Sequence, residues 1–530
     1  MRRWNGWGDD QFNLELPDGG RQFLADRIGS ATPLSDISLD AACAQVPVSR
    51  LPEHPEVVTA PEDRVRHARG QSLADWLAMR SGDFGVFPDG VAYPESSRAV
   101  AELLDYAGEH GLAVIPYGGG TSVAGHINPV KGDKPVLTVD MGRMNRLIDL
   151  DRESQVATFG AGTPGPLVES QLRAQGYTLG HFPQSFELST IGGWVASRSS
   201  GQQSLRYGRI EQLFAGGRIE TLQGTLQIPT FPASSAGPDI RELILGSEGR
   251  IGLLTEVKVR VTPLPAHESF HVVFFPSWDK ARTACRKLVQ NRTQLSMLRL
   301  SNATETETQL ALAGHPGLIG MLESYLSLRG SKDGKCMMTF GITGSKRQCS
   351  NAMKETRAIC GDYDGIYTGR KLGDKWAAKR FTMPYLREAL WQLGYAVDTL
   401  ETATDWDNVD HLLSRIEENL RNQLNEEKES VHVFTHLSHF YPQGCSIYTT
   451  YVFRVADSYD KTLARWKTLK DSTSTVIVNN RGTISHQHGV GKDHAPFLPV
   501  EKGELGMLAI GTLCRTFDPA GLLNPKTLVE

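Results

Sequence analysis

The stretch from Ala113 to Gly125, AVIPYGGGTSVAG, constrains this chain more than any other. The β-branched pair Val114-Ile115 stops at Pro116 and predicts a strand feeding a loop. Gly118, Gly119 and Gly120 remove every side chain that would hold a partner off the backbone, and Thr121 and Ser122 add hydroxyl donors. Such a loop is either an ordinary tight turn or a cradle whose N–H groups converge on an anion, a phosphate or pyrophosphate above all. No Lys follows it as in a P-loop, and no spaced GxGxxG opens a helix as in a Rossmann fingerprint.

With 530 residues, 40% of them apolar and 22% charged, the chain has the composition of a globular protein of several domains. A net charge of -4 offers no electrostatic footprint for nucleic acid and points to a small-molecule substrate. The 7 cysteines are odd in number, scattered and free of CxxC pairs, which argues against both a disulfide framework and a zinc site. The opening lacks an apolar signal core and no run of about 18 apolar residues occurs, so a cytoplasmic location is expected.

Residues 1–80 read as a Trp-rich lead-in with a helix near 72–78. Ser96 and Ser97 can cap a helix with Val100, Leu103, Leu104 and Ala107 at helical spacing before Gly111. Strands follow at 113–116, 135–139 and 157–162, then a helix at 167–176. The segment 180–193, GHFPQSFELSTIGG, has the density of His, Pro, Gly and hydroxyls of a ligand-lining loop, which 194–201 continues. A Ser-Glu-Gly-x-x-Gly turn at 247–252 precedes a strand of clean period two. After Pro265 glycines thin out: a strand is expected at 271–275, a helix at 280–290 and a largely helical region from about 375 to 425. A boundary near 266 would begin a second α+β domain covering the cleft of the first.

Four segments in order are PYGGGTS (116–122), GHFPQSFELSTIGGWVASRSSG (180–201), LGSEGRIGLLTE (245–256), and SHQHGVGKDH (485–494) with FDPAGLLNPK (517–526) behind it. Together they resemble the vanillyl-alcohol-oxidase, or PCMH, type of FAD-binding flavoprotein, and within it the alkylglycerone-phosphate synthases. The likeness extends to WNGWG near the start, MLRLSN and CSIY. It implies an α+β fold: a two-part FAD-binding domain at 81–265, an α+β substrate cap at 266–480, a C-terminal segment at 481–530 completing the flavin site, and residues 1–80 packed on the core. FAD would be held without a covalent bond by Pro116, Tyr117, Gly118, Gly119, Gly120, Thr121 and Ser122. A second layer would be His181, Gln184, Ser185, Phe186, Glu187, Leu188, Ser189, Thr190, Ser197, Arg198, Ser199 and Ser200. The turn Glu248, Gly249, Arg250, Ile251, Gly252, Leu253 and Leu254 would close the bed. His181 is either part of that pocket or a histidine satisfied by its own neighbours.

The resemblance also implies a reaction in which no net electrons pass, the acyl chain of acyl-dihydroxyacetone phosphate being exchanged for a fatty alcohol in ether lipid synthesis. Tyr448 matches the family's catalytic tyrosine, His486 and His488 its histidine cluster, and Arg299 an arginine needed for activity. A phenol titrates near about 10, so a basic Tyr448 requires cationic neighbours that lower it. His436 stands where the family has an arginine for the substrate phosphate, with His439 or Lys492 as candidates to compensate, and Gln184 stands where it has an acid. Phe381, Met383, Leu386 and Leu390 would line a lipid tunnel or serve as ordinary core. The His-x-His of 486–488 also has metal-ligand spacing, yet the acid and the Gly-Asn-x-His of metal-binding 2-hydroxy-acid dehydrogenases are missing, so no metal is expected. Rival readings are an FAD-dependent oxidoreductase acting on a 2-hydroxy acid of the D-lactate or glycolate type or on another alcohol, and a flavin-binding protein without catalysis. A lipid substrate implies contact at the membrane periphery, and relatives of this fold often form homodimers.

Overall fold

In the computed structural model, which describes residues 1–313 and 316–529, the glycine stretch begins as the strand Ala113–Tyr117. It pairs in parallel with Val136–Asp140 in a four-stranded sheet. The preceding helix, Ser97–His110, starts at Ser96, whose side chain accepts from the Ala99 N–H, and stops at Gly111, whose φ of 64° suits the left-handed cap. Its buried face, Val100, Leu103, Leu104 and Ala107, packs with Val114, Leu137 and Val139 of the sheet. A capping box between Ser72 and Asp75 opens the helix Leu73–Ser81. A second, five-stranded antiparallel sheet centres on Leu253–Arg260, whose alternating burial follows its period of two.

The third sheet has seven antiparallel strands and begins at His267–Phe275. One face carries Leu298, Leu300, Leu437, Ile447 and Leu400 into the largest hydrophobic core, against the helices Trp278–Gln290 and Val409–Asn422. The other face looks toward the glycine loops. The expectation of a largely helical 375–425 is corrected here, because Tyr395–Asp405 is an eleven-residue edge strand between the helices Leu386–Trp391 and Val409–Asn422. Thr399, Glu401, Thr402 and Thr404 obscure its apolar alternation, since one of its faces, with Val397 and Thr399, serves the cavity and the other, with Leu400, the core.

The C-terminal segment is sewn to the glycine strand. The Val114 N–H donates to the Leu522 carbonyl and the Asn524 N–H to the Val114 carbonyl, each at 2.8 Å. Glu248 sits at φ 52° in its turn, and its buried carboxylate accepts from the N–H groups of Val490 (2.5 Å) and Gly491 (2.8 Å). Asn524 Nδ2 donates to the Glu248 carbonyl at 2.7 Å. Glu248→Ala would strand two N–H groups at a cost of about 1–3 kcal/mol each. The expected outcome is a thermal midpoint several degrees lower with faster amide exchange at Val490 and Gly491, and Glu248→Gln falling between variant and wild type.

Candidate active site

Strand register places the reactive side chains in one row. His436 of His432–Phe440 and Glu401 of Tyr395–Asp405 both lie opposite Tyr448 of Gly444–Arg454, so all three share a sheet face. Ser301 lies opposite His436, and Arg299, two residues earlier on Met297–Ser301, therefore joins the same face. A register shift between Leu437 and Phe440 brings His439 to Glu401 as well, its Nε2 3.9 Å from Oε1.

This row forms one wall of a cavity of about 410 Å³ whose other wall is Pro116–Val123, Ser189–Thr190, Gly192–Gly193 and Glu248–Gly249. Two loops meet there because glycine allows it: a Cβ on Gly119 would lie 1.8 Å from the Leu188 carbonyl oxygen, and one on Gly118 2.4 Å from Thr190 Oγ1. The donors on this wall are backbone N–H groups and the hydroxyls of Thr121, Ser122, Ser185, Ser189, Thr190, Ser197 and Ser199. The acid among them, Glu248, already spends its oxygens on Val490 and Gly491. A wall rich in neutral donors and without a free carboxylate fits a pyrophosphate, and so fits FAD.

Several residues expected against FAD do not line the cavity. His181 is buried against Trp194, its Nε2 3.1 Å from Ser199 Oγ, and burial pushes its imidazole down to about 3. Phe186 stacks on Phe381, which moves both to the core. Glu187 accepts from the Tyr385 hydroxyl, and Leu188 contributes only its carbonyl to the meeting of the loops. Arg198 pairs with Glu242, Ser200 Oγ lies 3.1 Å from His439 Nδ1, Arg250 donates to the Leu523 carbonyl, and Ile251 is core. Their work is to hold the loops in place. Gln184, Gly252, Leu253 and Leu254 do reach the cavity, as do Met383, Leu386 and Leu390.

Glu401, which sequence reasoning missed along with its strand, is the hub of the reactive end. Gln487 Nε2 donates to its Oε2 at 2.6 Å, His486 Nδ1 lies 3.1 Å from Oε1, and His488 Nε2 lies 3.6 Å from Oε2. Burial would raise this carboxyl, but the His486 hydrogen bond and the surrounding imidazoles hold it well below the usual range. His488 faces the cavity, edge-on to Tyr448 with ring centroids 6.2 Å apart. His486 does not. Its Nε2 is met by the Tyr441 hydroxyl at 2.7 Å and by Arg209 Nη1 at 2.9 Å, so that nitrogen accepts and its proton sits on Nδ1, toward Glu401. Glu401, His439 and His486 bring ligand atoms within 4.8 Å of one another, yet the Arg209 guanidinium against His486 opposes a second cation there.

The expected depression of Tyr448 is also corrected. Burial, and then the nearby Glu401, push its phenol up to about 12, and its hydroxyl donates to Thr399 Oγ1 at 3.3 Å. His436 stacks on the Tyr448 ring at 4.7 Å, and burial followed by Arg299 pushes its imidazole down, which removes it as a cation for phosphate. The two proposed substitutes fail by position: Lys492 Nζ donates to the carbonyls of Gly125 and His126, and His439 is buried behind Glu401. Arg299 Nη2 donates to Glu305 Oε1 at 2.6 Å, an acid with no sequence signal beyond its place in the first turn of Ala303–Ala311.

A two-loop dinucleotide bed under an antiparallel sheet that carries the reactive groups defines a PCMH-type flavoprotein. The FAD binding domain family matches residues 88–228, and the family of FAD linked oxidases, C-terminal domain, matches residues 264–528, so the chain belongs to the FAD-linked oxidase family. It is 29% identical to the alkyldihydroxyacetonephosphate synthase of Dictyostelium discoideum, covering 99% of this chain and 93% of that one. The enzyme of that name from Trypanosoma brucei brucei is 28% identical, with 99% and 92% covered. A solved structure of an alkyldihydroxyacetonephosphate synthase superposes with a TM-score of 0.85 at 26% identity over 100% of this chain and 99% of that one.

Two outcomes are expected. In Gly119→Ala the added methyl forces the loops apart at a cost of about 1–3 kcal/mol, so FAD affinity should fall about tenfold or more, read from flavin absorbance against protein. Burial would raise the Glu305 carboxyl, but His436 and Arg299 outweigh it and hold it down to about 2, against the usual 4.5. An acid depressed in the fold adds stability that is present above its unfolded value and lost as the pH falls toward its folded one. The stability advantage of wild type over Glu305→Gln should therefore shrink from about pH 5 to about pH 3 in thermal melts.

Proposed function

We propose that the protein is an FAD-dependent alkylglycerone-phosphate synthase that exchanges the acyl chain of acyl-dihydroxyacetone phosphate for a fatty alcohol. The observation that carries this reading is end-to-end likeness to alkyldihydroxyacetonephosphate synthases, joined to a cavity lined by Met383, Leu386 and Leu390 as well as by Tyr448 and His488. When bound, FAD supplies the electron-rich ring that supports substitution at the substrate carbon. Met383, Leu386 and Leu390 receive the hydrocarbon chain and exclude water.

His488 is the base. Burial lowers its imidazole, so it is neutral at pH 7 and free to take a proton, and Glu401 at 3.6 Å stabilises the imidazolium that results. Tyr448, protonated, turns its one O–H from Thr399 to a substrate oxygen, its ring held by the stacked His436. The fatty acid leaves as its carboxylate, the alcohol oxygen takes its place on the carbon, and the alcohol's proton departs through His488. His486 positions Glu401. Because the proposed substrates are lipids, they would be taken up at the membrane periphery; among the described residues no helix is long and apolar enough to cross a membrane.

FAD-loaded protein given palmitoyl-dihydroxyacetone phosphate and hexadecanol should release palmitate and form the ether product in equal amounts. His488→Gln should lower kcat by about a hundredfold or more. Absence of exchange, together with anaerobic bleaching of the flavin by a 2-hydroxy acid, would move the protein to the oxidoreductases.

A further inference from the structure

Residues 2–9 fold back as a hairpin that lies outside both matched family segments. Arg2 pairs with Asp9 in an antiparallel bridge, and the Arg3 N–H donates to the Gly8 carbonyl at 2.8 Å. The hairpin is wedged between two parts of the molecule. On one side Gln71 Nε2 donates to the Gly6 carbonyl at 3.1 Å. On the other the Asp9 N–H donates to the Tyr385 hydroxyl at 3.1 Å, and Arg3 pairs with Glu388 of the helix Leu386–Trp391. Its tip carries Trp7 into the wall of the cavity that Tyr448 also lines. The indole is 4% exposed, and its Nε1 is buried with no hydrogen-bond partner among the described residues. The neighbouring amide is already engaged, since Gln71 Oε1 accepts from Trp76 Nε1 at 2.8 Å.

A buried indole N–H without an acceptor costs free energy until a ligand supplies one. The wall it belongs to is tied to the glycine loop, because the Gln71 N–H donates to the Ser122 carbonyl at 2.6 Å. Arg2 does not line the cavity, yet it reaches the same loop, its Nη2 donating to the Gly119 carbonyl at 2.6 Å. In a trans peptide the carbonyl and the N–H that follows it point opposite ways, so a guanidinium holding the Gly119 carbonyl outward turns the Gly120 N–H inward. That N–H makes no backbone hydrogen bond among the described residues, and Gly120 lines the cavity. One unused donor thus comes from the hairpin and another is set by it. We propose that the hairpin is a clasp on the FAD: Trp7 gives its indole N–H to a pyrophosphate oxygen, and Arg2, a positioning residue that touches no ligand, aims the Gly120 N–H at the same group. The inference rests on FAD binding and not on the synthase reading.

The test reads FAD binding with no substrate present. The full chain, freed of flavin, is titrated with FAD by flavin fluorescence and with ADP, which carries the pyrophosphate without the flavin, by thermal shift. Trp7→Phe keeps an aromatic ring and removes the N–H. It should weaken FAD and ADP about tenfold each, the loss of one hydrogen bond to a charged group. Arg2→Ala should weaken both about threefold to tenfold, the loss of one aimed backbone donor, and Arg2→Lys should recover part of that loss. A variant that is merely less stable lowers the ligand-free midpoint and leaves both affinities at the wild-type value, and that outcome would overturn the inference. So would weakened FAD with wild-type ADP affinity in Trp7→Phe, which would move the indole to the flavin ring. Wild-type affinity for both ligands with a raised KM for palmitoyl-dihydroxyacetone phosphate would overturn it too, assigning Trp7 to the substrate.

Discussion

A single buried carboxylate, Glu401, organises the reactive end of the molecule. Its side chain is fully shielded from solvent, and an anion in that position persists only where hydrogen-bond donors replace its lost hydration. Gln487 and His486 donate to it, and the imidazoles of His488 and His439 stand 3.6 and 3.9 Å away. Burial first, and then the same charge, lift the Tyr448 phenol, while burial pushes the His488 imidazole down. Both rings are therefore neutral where they meet the cavity.

Arg209 extends this order outward. Its guanidinium and the Tyr441 hydroxyl both approach His486 Nε2, so the tautomer that points a proton at Glu401 is enforced from behind. A histidine that looks catalytic by motif becomes a spacer between a guanidinium and a carboxylate. The neighbouring His488, two residues on, keeps its ring in the cavity.

Much of the flavin-binding part was legible in the chain. The capped helix Ser97–His110, the strand Ala113–Tyr117 and the glycine loop depend on local rules of capping, periodicity and small-residue close approach, and those rules act within a few residues. The strand Tyr395–Asp405 was not legible, because its polar face is paid for by a cavity built from other segments. Glu401 went unseen with it. Glu305 escaped for a related reason: an acid in a first helical turn looks like an ordinary surface residue until the fold buries it.

What the sequence determined by itself was the kind of ligand bed: triple glycine, hydroxyl-rich loops and the C-terminal Asn-Pro-Lys turn permit close backbone approach, which is a property of residue types. Tertiary structure alone decided which charged groups remain active. Register across three strands set Glu401, Tyr448 and His436 side by side, and the helix Leu386–Trp391 carried Arg387 into the same cavity. Protonation and pairing follow from distance and desolvation, and both quantities come into existence only when segments hundreds of residues apart meet.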